Sequence, residues 1–585
     1  MIQLIINNEP VDLNENSSIN ITEESPVFEK DSIPGGFSFP FELPASPKNN
    51  RILSHPGRIQ SAFQGGFNLP FQLYLDGRLI GTGTATIQKA TSLSYSAFLQ
   101  VGTGDFAGKT DGKRLSDVDF GGERTWEFKP EYTFPEDDFA LFPIYNENFM
   151  DDTQYKDAWK TNKYRLNSHE LGTWFTGVNS IMAISPFPYL GYVVNRIFNH
   201  FGFVLKENIL TTDPDLKQLV IYNNHDSANL VSVTRPVTKT IFGKRNDGSW
   251  GYIQRTVIVT TITREFNTWN LKDFLPDILI KDFILAIRNL FNLAITIDNQ
   301  GFASIVKRKD LVTSGKSVPL NAKAMGLPLV TISDNTTGVK LHWEHEENDL
   351  LFSEGFKDIY ADPTLIKPPV DTIDELTLIA ATINEIRLVT SYGLYYQYSG
   401  ETVDGVTEYS WKLFSNDFQD FIIGDKPEEY TAMASTLPMI HYQRSIGGPI
   451  IRCPQAAQLS SSIIRSTSLP FSLRFLFYRG MVADSTGTPY PYGSSDAFDS
   501  EGELLPDASL SLKWQGETGL YNQLWKDYLT WWKKRKVVTW TITDPSLLDF
   551  FTVYEIDNNH YILKNRSISL QYEGIQPGDC EFYLV

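Results

Sequence analysis

The feature that most constrains the fold is a two-residue alternation of apolar and polar side chains near both ends of the chain. In the first hundred residues it covers Ile19 and Ile21, and then Leu69, Phe71, Leu73 and Leu75 ahead of Asp76-Gly77, a favoured hairpin turn. Near the other end, Val537 to Thr543 and the segment around Asp557-Asn558-Asn559 predict a strand and a hairpin. We therefore expect the chain to begin and end with β-sheet.

Two further patterns refine the N-terminal region. Thr82, Thr84 and Thr86 interleave with small residues, so the return strand is expected to turn one polar face to solvent or to a partner. Pro34-Gly35-Gly36 and the series Pro40, Pro44 and Pro47 are expected to interrupt any helix between the strands.

In the middle of the chain, apolar residues recur at helical spacing. Residues 189–201 carry a helical apolar stripe and precede Gly202, where a helix C-cap is expected. A second stripe predicts a helix over residues 282–292, and residues 294–306 predict strand, turn and strand, so a compact α+β unit is expected. Residues 231–265, rich in Val, Ile and Thr around Asn246-Asp247-Gly248, predict a long exposed hairpin.

These patterns predict a β-rich α+β multidomain fold. Residues 1–115 form an N-terminal β domain, 116–180 an irregular aromatic and acidic insertion that a neighbouring subunit could order, and 181–320 the α+β domain with the long hairpin. Residues 321–505 form a mixed domain with strands over 339–343 and 473–478 and with loops such as Thr486 to Ser495. Residues 506–585 form a C-terminal β domain with an amphipathic helix over 520–532.

Composition excludes several classes of protein. With 41% apolar and 21% charged residues, most of the 585-residue chain is expected to fold, and its length suits about three to five units. The aromatic share of 13% fits extensive interfaces and large β-rich cores equally well. A net charge of -19 disfavours nucleic acid and anionic lipid as partners. The basic run Lys533 to Lys536 is interpreted as a solvated helix end.

Cys453 and Cys580 are the only cysteines, which excludes a disulfide framework and a multi-cysteine zinc site and fits synthesis in a reducing cytoplasm. The first residues lack the pattern of a signal peptide, and no run of about 18 apolar residues occurs. No membrane anchoring is expected, and export would take place inside a particle.

Motifs for catalysis are weak. The sequence has no phosphate-binding or dinucleotide-binding glycine loop, no Gly-x-Ser-x-Gly elbow and no recognisable nucleophilic cysteine. His342-Trp343-Glu344-His345-Glu346-Glu347 offers metal-binding side chains. A strand over 339–343 would turn His342 and Glu344 to one face and His345 to the other, so a solvated strand end is the favoured interpretation.

Glu136, Asp137, Asp151 and Asp152 could supply the carboxylate pair of a glycoside hydrolase, but chance pairs are expected among 70 acidic residues. The helix with Trp525, Trp531 and Trp532 could stack sugars, although its stripe favours a buried core face. We assign no catalytic, cofactor-binding or metal-binding residue and expect no enzyme.

Eight segments carry a family resemblance: residues 33–44 (IPGGFSFPFELP), 50–53 (NRIL), 74–77 (YLDG), 275–278 (LPDI), 281–284 (KDFI), 291–293 (FNL), 295–298 (ITID) and 473–480 (LRFLFYRG). These segments resemble tail proteins of phages and prophages that infect Bacteroidetes. The resemblance implies a hub of the tail tip or baseplate, located in the virion tail. Such hubs form a trimeric ring in which each subunit contributes two tube-like β-domains, here expected near the N- and C-termini.

A hub of this kind is an adaptor that works by oligomeric assembly. The resemblance implies a homotrimer that contacts tail tube, distal tail, tape measure and spike or fibre proteins, with no cofactor and no catalytic residues. Two alternatives remain open: a tail-associated hydrolase of cell wall or glycan, and a receptor-binding adhesin.

Overall fold

The computed structural model describes most of the chain. The described residues are 1–29, 31–32, 34–58, 67–126, 129, 131–145, 165–167, 169–170, 173–174, 184–223, 229–244, 248–265, 268–313, 315–331, 338–342, 363–389, 394–403, 406–416, 421–423, 427–431, 440–445, 450–455, 473–483, 487, 489–497 and 504–585.

One curled sheet of 15 strands contains both ends of the chain. Its strands, in spatial order, are Glu9–Pro10, Ile2–Ile6, Phe67–Leu75, Arg78–Ala90, Ser94–Val101, Gly36–Ser38, Ile19–Glu24, Asn559–Gln571, Gly578–Leu584, Val537–Ile542 and Ala324–Thr331. Four more strands branch from this path: Phe41–Pro44, Val318–Pro319, Val553–Ile556 and Gly574–Gln576.

The long strand Asn559–Gln571 joins two lobes of this sheet. Its first half pairs with Val553–Ile556 and Gly578–Leu584, and its second half pairs with Ile19–Glu24. The N-terminal lobe closes on a core that contains Leu4, Ile21, Leu73, Leu99 and Leu570. The C-terminal lobe closes on another core, with Trp540, Ile556, Leu563 and Phe582. One continuous strand therefore takes part in both cores.

Local turn chemistry accounts for the terminal hairpins. Asp76 and Gly77 have φ values of 50° and 79°, as a type I′ turn requires, and Asp557 and Asn558 have 51° and 61°. The period-two prediction is confirmed at both ends: in Phe67–Leu75 the residues Phe71, Leu73 and Leu75 are buried, and in Val537–Ile542 every second residue is buried.

The central α+β unit is also confirmed. Helices Leu190–His200 and Ile280–Leu290 bury their predicted stripes, and Gly202 follows the first with a φ of 84°. Strands Leu293–Ile297 and Phe302–Lys307 form the predicted hairpin, and Val204–Asn208 pairs in parallel with the second of them.

The remaining helices are short. They are Pro47–Ile52, Thr103–Thr110, Ile209–Thr212, Arg308–Thr313, Ile373–Leu378 and Lys526–Trp532, with 3-10 turns at Leu115–Asp117, Leu216–Gln218, Leu271–Phe274, Pro363–Leu365 and Pro545–Leu547. The predicted amphipathic helix over 520–532 is confirmed, with a π-helical turn at Tyr521–Trp525 that the apolar spacing did not indicate. The basic run begins directly after Trp532, the last residue of this helix, so it follows a helix end as predicted. The guanidinium of Arg535 lies 3.5 Å from the ring centre of Trp532.

Smaller sheets complete the fold. The two longest hairpins are Asn229–Lys244 with Trp250–Glu265, as predicted, and Leu394–Val403 with Val406–Asn416, to which Ile386–Val389 adds. Three-stranded sheets are formed by Leu219–Ile221, Phe475–Ala483 and Pro489–Ser494, and by Gly338–His342, Phe421–Ile423 and Pro427–Thr431. Ile440–Ser445 pairs with Ile450–Gln455, which also contacts Ile144–Tyr145, and the latter pairs with Arg165–Leu166. Two-residue pairs are Glu123–Arg124 with Trp269–Asn270, Phe139–Ala140 with Phe187–Pro188, and His169–Glu170 with Thr173–Trp174.

Three local predictions need correction or completion. Pro47 does not interrupt a helix but begins one, because a proline at the first helical position loses no hydrogen bond and Ser46 caps the Asn49 N–H at 3.2 Å. Pro489–Ser494 is a strand and not a loop, since an edge strand tolerates proline and buries Tyr490 and Tyr492. The threonine face is covered in part by the chain itself, because Thr82 donates to the Asn299 carbonyl oxygen at 3.0 Å.

In the described part of residues 116–180 the strands are two residues long, and the aromatic side chains pack into the chain's own core. Trp126, for example, stacks on Trp269 with 4.5 Å between ring centres. The β-rich multidomain fold class is thus confirmed, with curled β lobes built from both ends of the chain.

Alkaline pH is expected to destabilise the protein through its buried phenols. Burial raises the pKa of Tyr478, and the carboxylates of Glu131 and Asp137 raise this pKa further; burial also raises the pKa of Tyr189. In the unfolded chain these phenols ionise near pH 10, so the folded state retains protons that the unfolded state loses. The free energy of unfolding should therefore fall as the pH rises above about 10.

Tyrosinate absorbance during an alkaline titration, followed together with circular dichroism, measures this effect. We expect a fraction of the phenols to ionise only when the fold is lost. Complete ionisation near pH 10 with the circular dichroism unchanged would contradict the prediction.

Candidate assembly surfaces

The sequence-derived metal candidate lies mostly outside the described residues, which include His342 at the end of strand Gly338–His342 but not residues 343–347. Within the described ranges, no group of three or more His, Cys, Asp or Glu side chains is placed to hold a metal ion.

The candidate hydrolase carboxylates are not brought together as a described pair. Asp137 accepts hydrogen bonds from the Lys129 ammonium and from the Thr133 N–H, the latter at 3.0 Å, which fixes a local turn. Glu136 is exposed, and Asp151 and Asp152 lie outside the described residues. The tryptophans of the C-terminal helix are core residues: Trp525 and Trp532 are buried, and the indole N–H of Trp531 donates to the Leu584 carbonyl oxygen at 2.8 Å.

Two buried ion pairs join segments that are distant in the sequence. Arg566, on the strand shared by both lobes, pairs with buried Glu23 and donates to the carbonyl oxygens of Pro545 and Leu548. Burial lowers the pKa of Arg566, but the attraction and hydrogen bond of Glu23 outweigh burial, so the pKa is raised. This pair holds two segments 543 residues apart in the sequence.

A second buried pair joins Arg479 to Asp215, with 2.6 Å between Nη1 and Oδ1. Asp215 also accepts from the hydroxyl of Ser509 at 2.5 Å and from its N–H at 3.1 Å. Arg479 donates to the Leu510 carbonyl oxygen at 2.5 Å. Each of these groups is hydrogen-bonded within the chain, so the cluster is a structural link between segments.

The first candidate assembly surface is an apolar, exposed end strand. Ala324–Thr331 terminates the path of the 15-stranded sheet, and in the described part of the chain no strand pairs with its outer edge. Leu327 is 94% exposed and Leu329 67% exposed. The strand has a bulge between Met325 and Leu329, with Gly326 at a φ of 75°, and all residues from Met325 to Thr331 are exposed. This surface was not predicted from the sequence, although an apolar run broken by Gly326 and Pro328 indicates it.

A groove of about 780 Å³ lies at the other end of the same sheet path. Ile2, Val11, Leu13 and Tyr572 give it apolar walls, and Asp12, Glu15 and Asp76 add carboxylates. The sheet therefore offers an apolar projection at one end and a partly apolar recess at the other.

The third surface is the arm, which we define as the hairpin Asn229–Lys244 with Trp250–Glu265. Sixteen residue pairs run along it from Asn229–Glu265 to Lys244–Trp250. Near its tip Phe242 is 63% exposed, Trp250 67% and Tyr252 71%. Phe242 stacks on Trp250 with 6.1 Å between ring centres and meets Tyr252 edge-on at 5.5 Å.

No protein-family model matches the sequence, and no curated protein matches it. Among solved structures, the 43 kDa tail protein of prophage MuSo2 from Shewanella oneidensis is similar, with 8% sequence identity and a TM-score of 0.32, over 100% of this chain and 96% of that chain. A TM-score of this size does not establish a shared fold.

The helices in the described part of the chain are all too short or too polar to cross a bilayer.

Proposed function

We propose that this protein is a structural hub of a phage tail tip or baseplate, an adaptor that works by oligomeric assembly and not by catalysis. The observation that carries the proposal is the continuous sheet that both ends of the chain build, with two curled lobes on one shared strand. The shared strand and the Arg566–Glu23 pair fix one lobe against the other. A rigid pair of lobes suits an adaptor, because it can hold the proteins bound to each lobe in a fixed relative orientation.

The proposed assembly is a homotrimeric ring. Three copies with two lobes each would present six lobes, which matches a six-fold tail tube on one side and a three-fold spike or fibre on the other. Head-to-tail contacts that close on themselves generate such rings. The end strand Ala324–Thr331 of one copy would pack against the groove beside Ile2–Ile6 of the next, so that apolar surface is buried at both ends of the sheet.

The other partners follow from the same role. Tail tube, distal tail and tape measure proteins would contact one side of the ring, and spike or fibre proteins the other, at the virion tail tip. The segments quoted above motivate a host among the Bacteroidetes.

Charge on the end strand is expected to break the ring. The double variant Leu327→Asp/Leu329→Asp places two carboxylates in the proposed interface, and self-association should weaken by at least about tenfold, since a buried interface charge without a partner costs several kcal/mol. The variant should keep its fold, because both side chains are exposed. Sedimentation equilibrium and particle imaging of the full chain measure the outcome, and Leu378→Asp, at a side chain 86% exposed at the end of helix Ile373–Leu378, is the matched control.

A ring with a central hole that is lost in L327D/L329D and kept in L378D supports the proposal. A monomer at all concentrations overturns the assembly. Release of fragments from host envelopes that stops when one carboxylate is neutralised would assign a hydrolase instead, and saturable binding of the monomer to host cells would assign an adhesin.

A further inference from the structure

The arm is a long two-stranded hairpin. At about 3.3 Å per residue, sixteen residues in each strand span about 50 Å. Its two strands form a sheet of their own, and no other described helix or strand packs extensively against them. A two-stranded hairpin is marginally stable alone in water, so a surface that covers it would stabilise it.

One face of the arm groups exposed aromatic side chains near its tip. Because side chains alternate across a strand, the register places Phe242, Lys244, Trp250 and Tyr252 on the same face near the tip. Further along that face come Thr238, Thr240, Gln254 and Thr256, and then Ile258 opposite Pro236; all of these residues are exposed. Aromatic residues grouped on an exposed face are typical of protein interfaces.

Charge is strongly segregated between the arm and the remainder of the protein. Residues 229–265 contain six basic residues (Arg235, Lys239, Lys244, Arg245, Arg255 and Arg264) and two acidic ones (Asp247 and Glu265), a net of +4. The total of -19 therefore leaves -23 for the other residues. A basic arm on an acidic body is electrostatically complementary to the body of another copy.

The sequence of the apex argues against a membrane as the occupant. Residues 245–249 read Arg-Asn-Asp-Gly-Ser, which is polar throughout, whereas a segment that enters a bilayer leads with apolar side chains. The aromatic residues lie along the side of the ribbon, where they would meet a surface laterally.

We infer that the arm is an exchange element: its aromatic face binds the acidic body of a second copy of this chain. This contact is separate from the end-strand contact of the proposed ring and rests on the self-association proposed above. Each copy would both give an arm and receive one, with Phe242, Trp250 and Tyr252 as the apolar anchor. Lys244 on the aromatic face and Lys239 on the opposite face, both exposed, would add to the positive field that steers the approach.

Two variants of the full chain test the inference by sedimentation equilibrium. The triple variant Phe242→Ser/Trp250→Ser/Tyr252→Ser should weaken self-association by at least about tenfold, because such anchors dominate interface energies. The variant Lys239→Glu/Lys244→Glu should weaken it at low salt, with a smaller effect at 0.5 M salt, where screening shortens the range of the field. Tyr409→Ser, on the other long hairpin, is the matched control and should leave association unchanged.

A photo-crosslinker at position 252 identifies what the arm touches. A crosslinked dimer of the chain, absent in the K239E/K244E variant at low salt, supports the inference. Unchanged association in both arm variants overturns the inference. The L327D/L329D variant then still tests the ring contact independently. A monomeric wild-type chain overturns both contacts. Binding to phosphatidylglycerol vesicles that the triple variant loses would assign the arm to a membrane and overturn the second copy as its occupant.

Discussion

Replacing Arg566 with methionine is expected to lower the free energy of unfolding by about 3–5 kcal/mol, the usual cost of leaving one member of a buried ion pair without its partner. Glu23 would remain enclosed at 5% exposure without its cation, and the carbonyl oxygens of Pro545 and Leu548 would lose their donor. Because Arg566 lies on the strand shared by both lobes, the N- and C-terminal lobes should lose stability together.

Urea denaturation followed by fluorescence and circular dichroism measures this effect. The double variant Glu23→Met/Arg566→Met should recover most of the loss, since an apolar pair of similar volume can replace a buried ion pair. Arg51→Met, which removes an exposed pair with Glu9, is the matched control and should cost less than about 1 kcal/mol. Equal effects of R566M and R51M would show that the buried pair does not fasten the lobes.

Replacing Asp215 with alanine is expected to cost a similar amount, about 3–5 kcal/mol. Arg479 would keep its charge in a fully enclosed site, where burial already lowers the pKa of its guanidinium although Asp215 opposes that effect. The N–H and hydroxyl of Ser509 would also lose their acceptor. Since these bonds join residues 294 apart, the segment around Ser509 should detach from the α+β unit first.

Native-state hydrogen exchange measures this local loss, which should be largest at residues 505–512 and 475–483. Asp277→Ala is the matched control, because Asp277 is exposed and pairs with exposed Arg114 at 3.2 Å. Uniform protection across the chain in D215A would contradict a fastening role for Asp215.

Several elements followed from the sequence because their cause is local. The type I′ turn at Asp76-Gly77 needs two residues that tolerate positive φ, and the helix Ile280–Leu290 needs only an apolar stripe of helical period. The arm was predicted in the same way, because its strand propensity and central turn lie in one segment. The two errors at proline have the same physical basis: Pro47 and Pro489 take positions where no backbone N–H is needed, and such positions depend on context.

The candidate surfaces were only partly visible in the sequence. The exposed aromatic face of the arm follows from register and from the absence of a covering element, and only the register could be inferred from the residues. The exposure of Leu327 and Leu329 depends on the position of Ala324–Thr331 as the end strand of the sheet path. An apolar run reads equally well as a core strand until its neighbours are known.

By itself the sequence determined the type and position of the elements with a clear period, since period, turn residues and caps act within a few residues. Only the tertiary structure decided that Ala324–Thr331 and Ile19–Glu24 share one sheet with the C-terminal strands, and that Arg566 meets Glu23. Strand pairings across hundreds of residues depend on which apolar faces close on a common core. The alternation of side chains along one strand does not identify the strand that pairs with it.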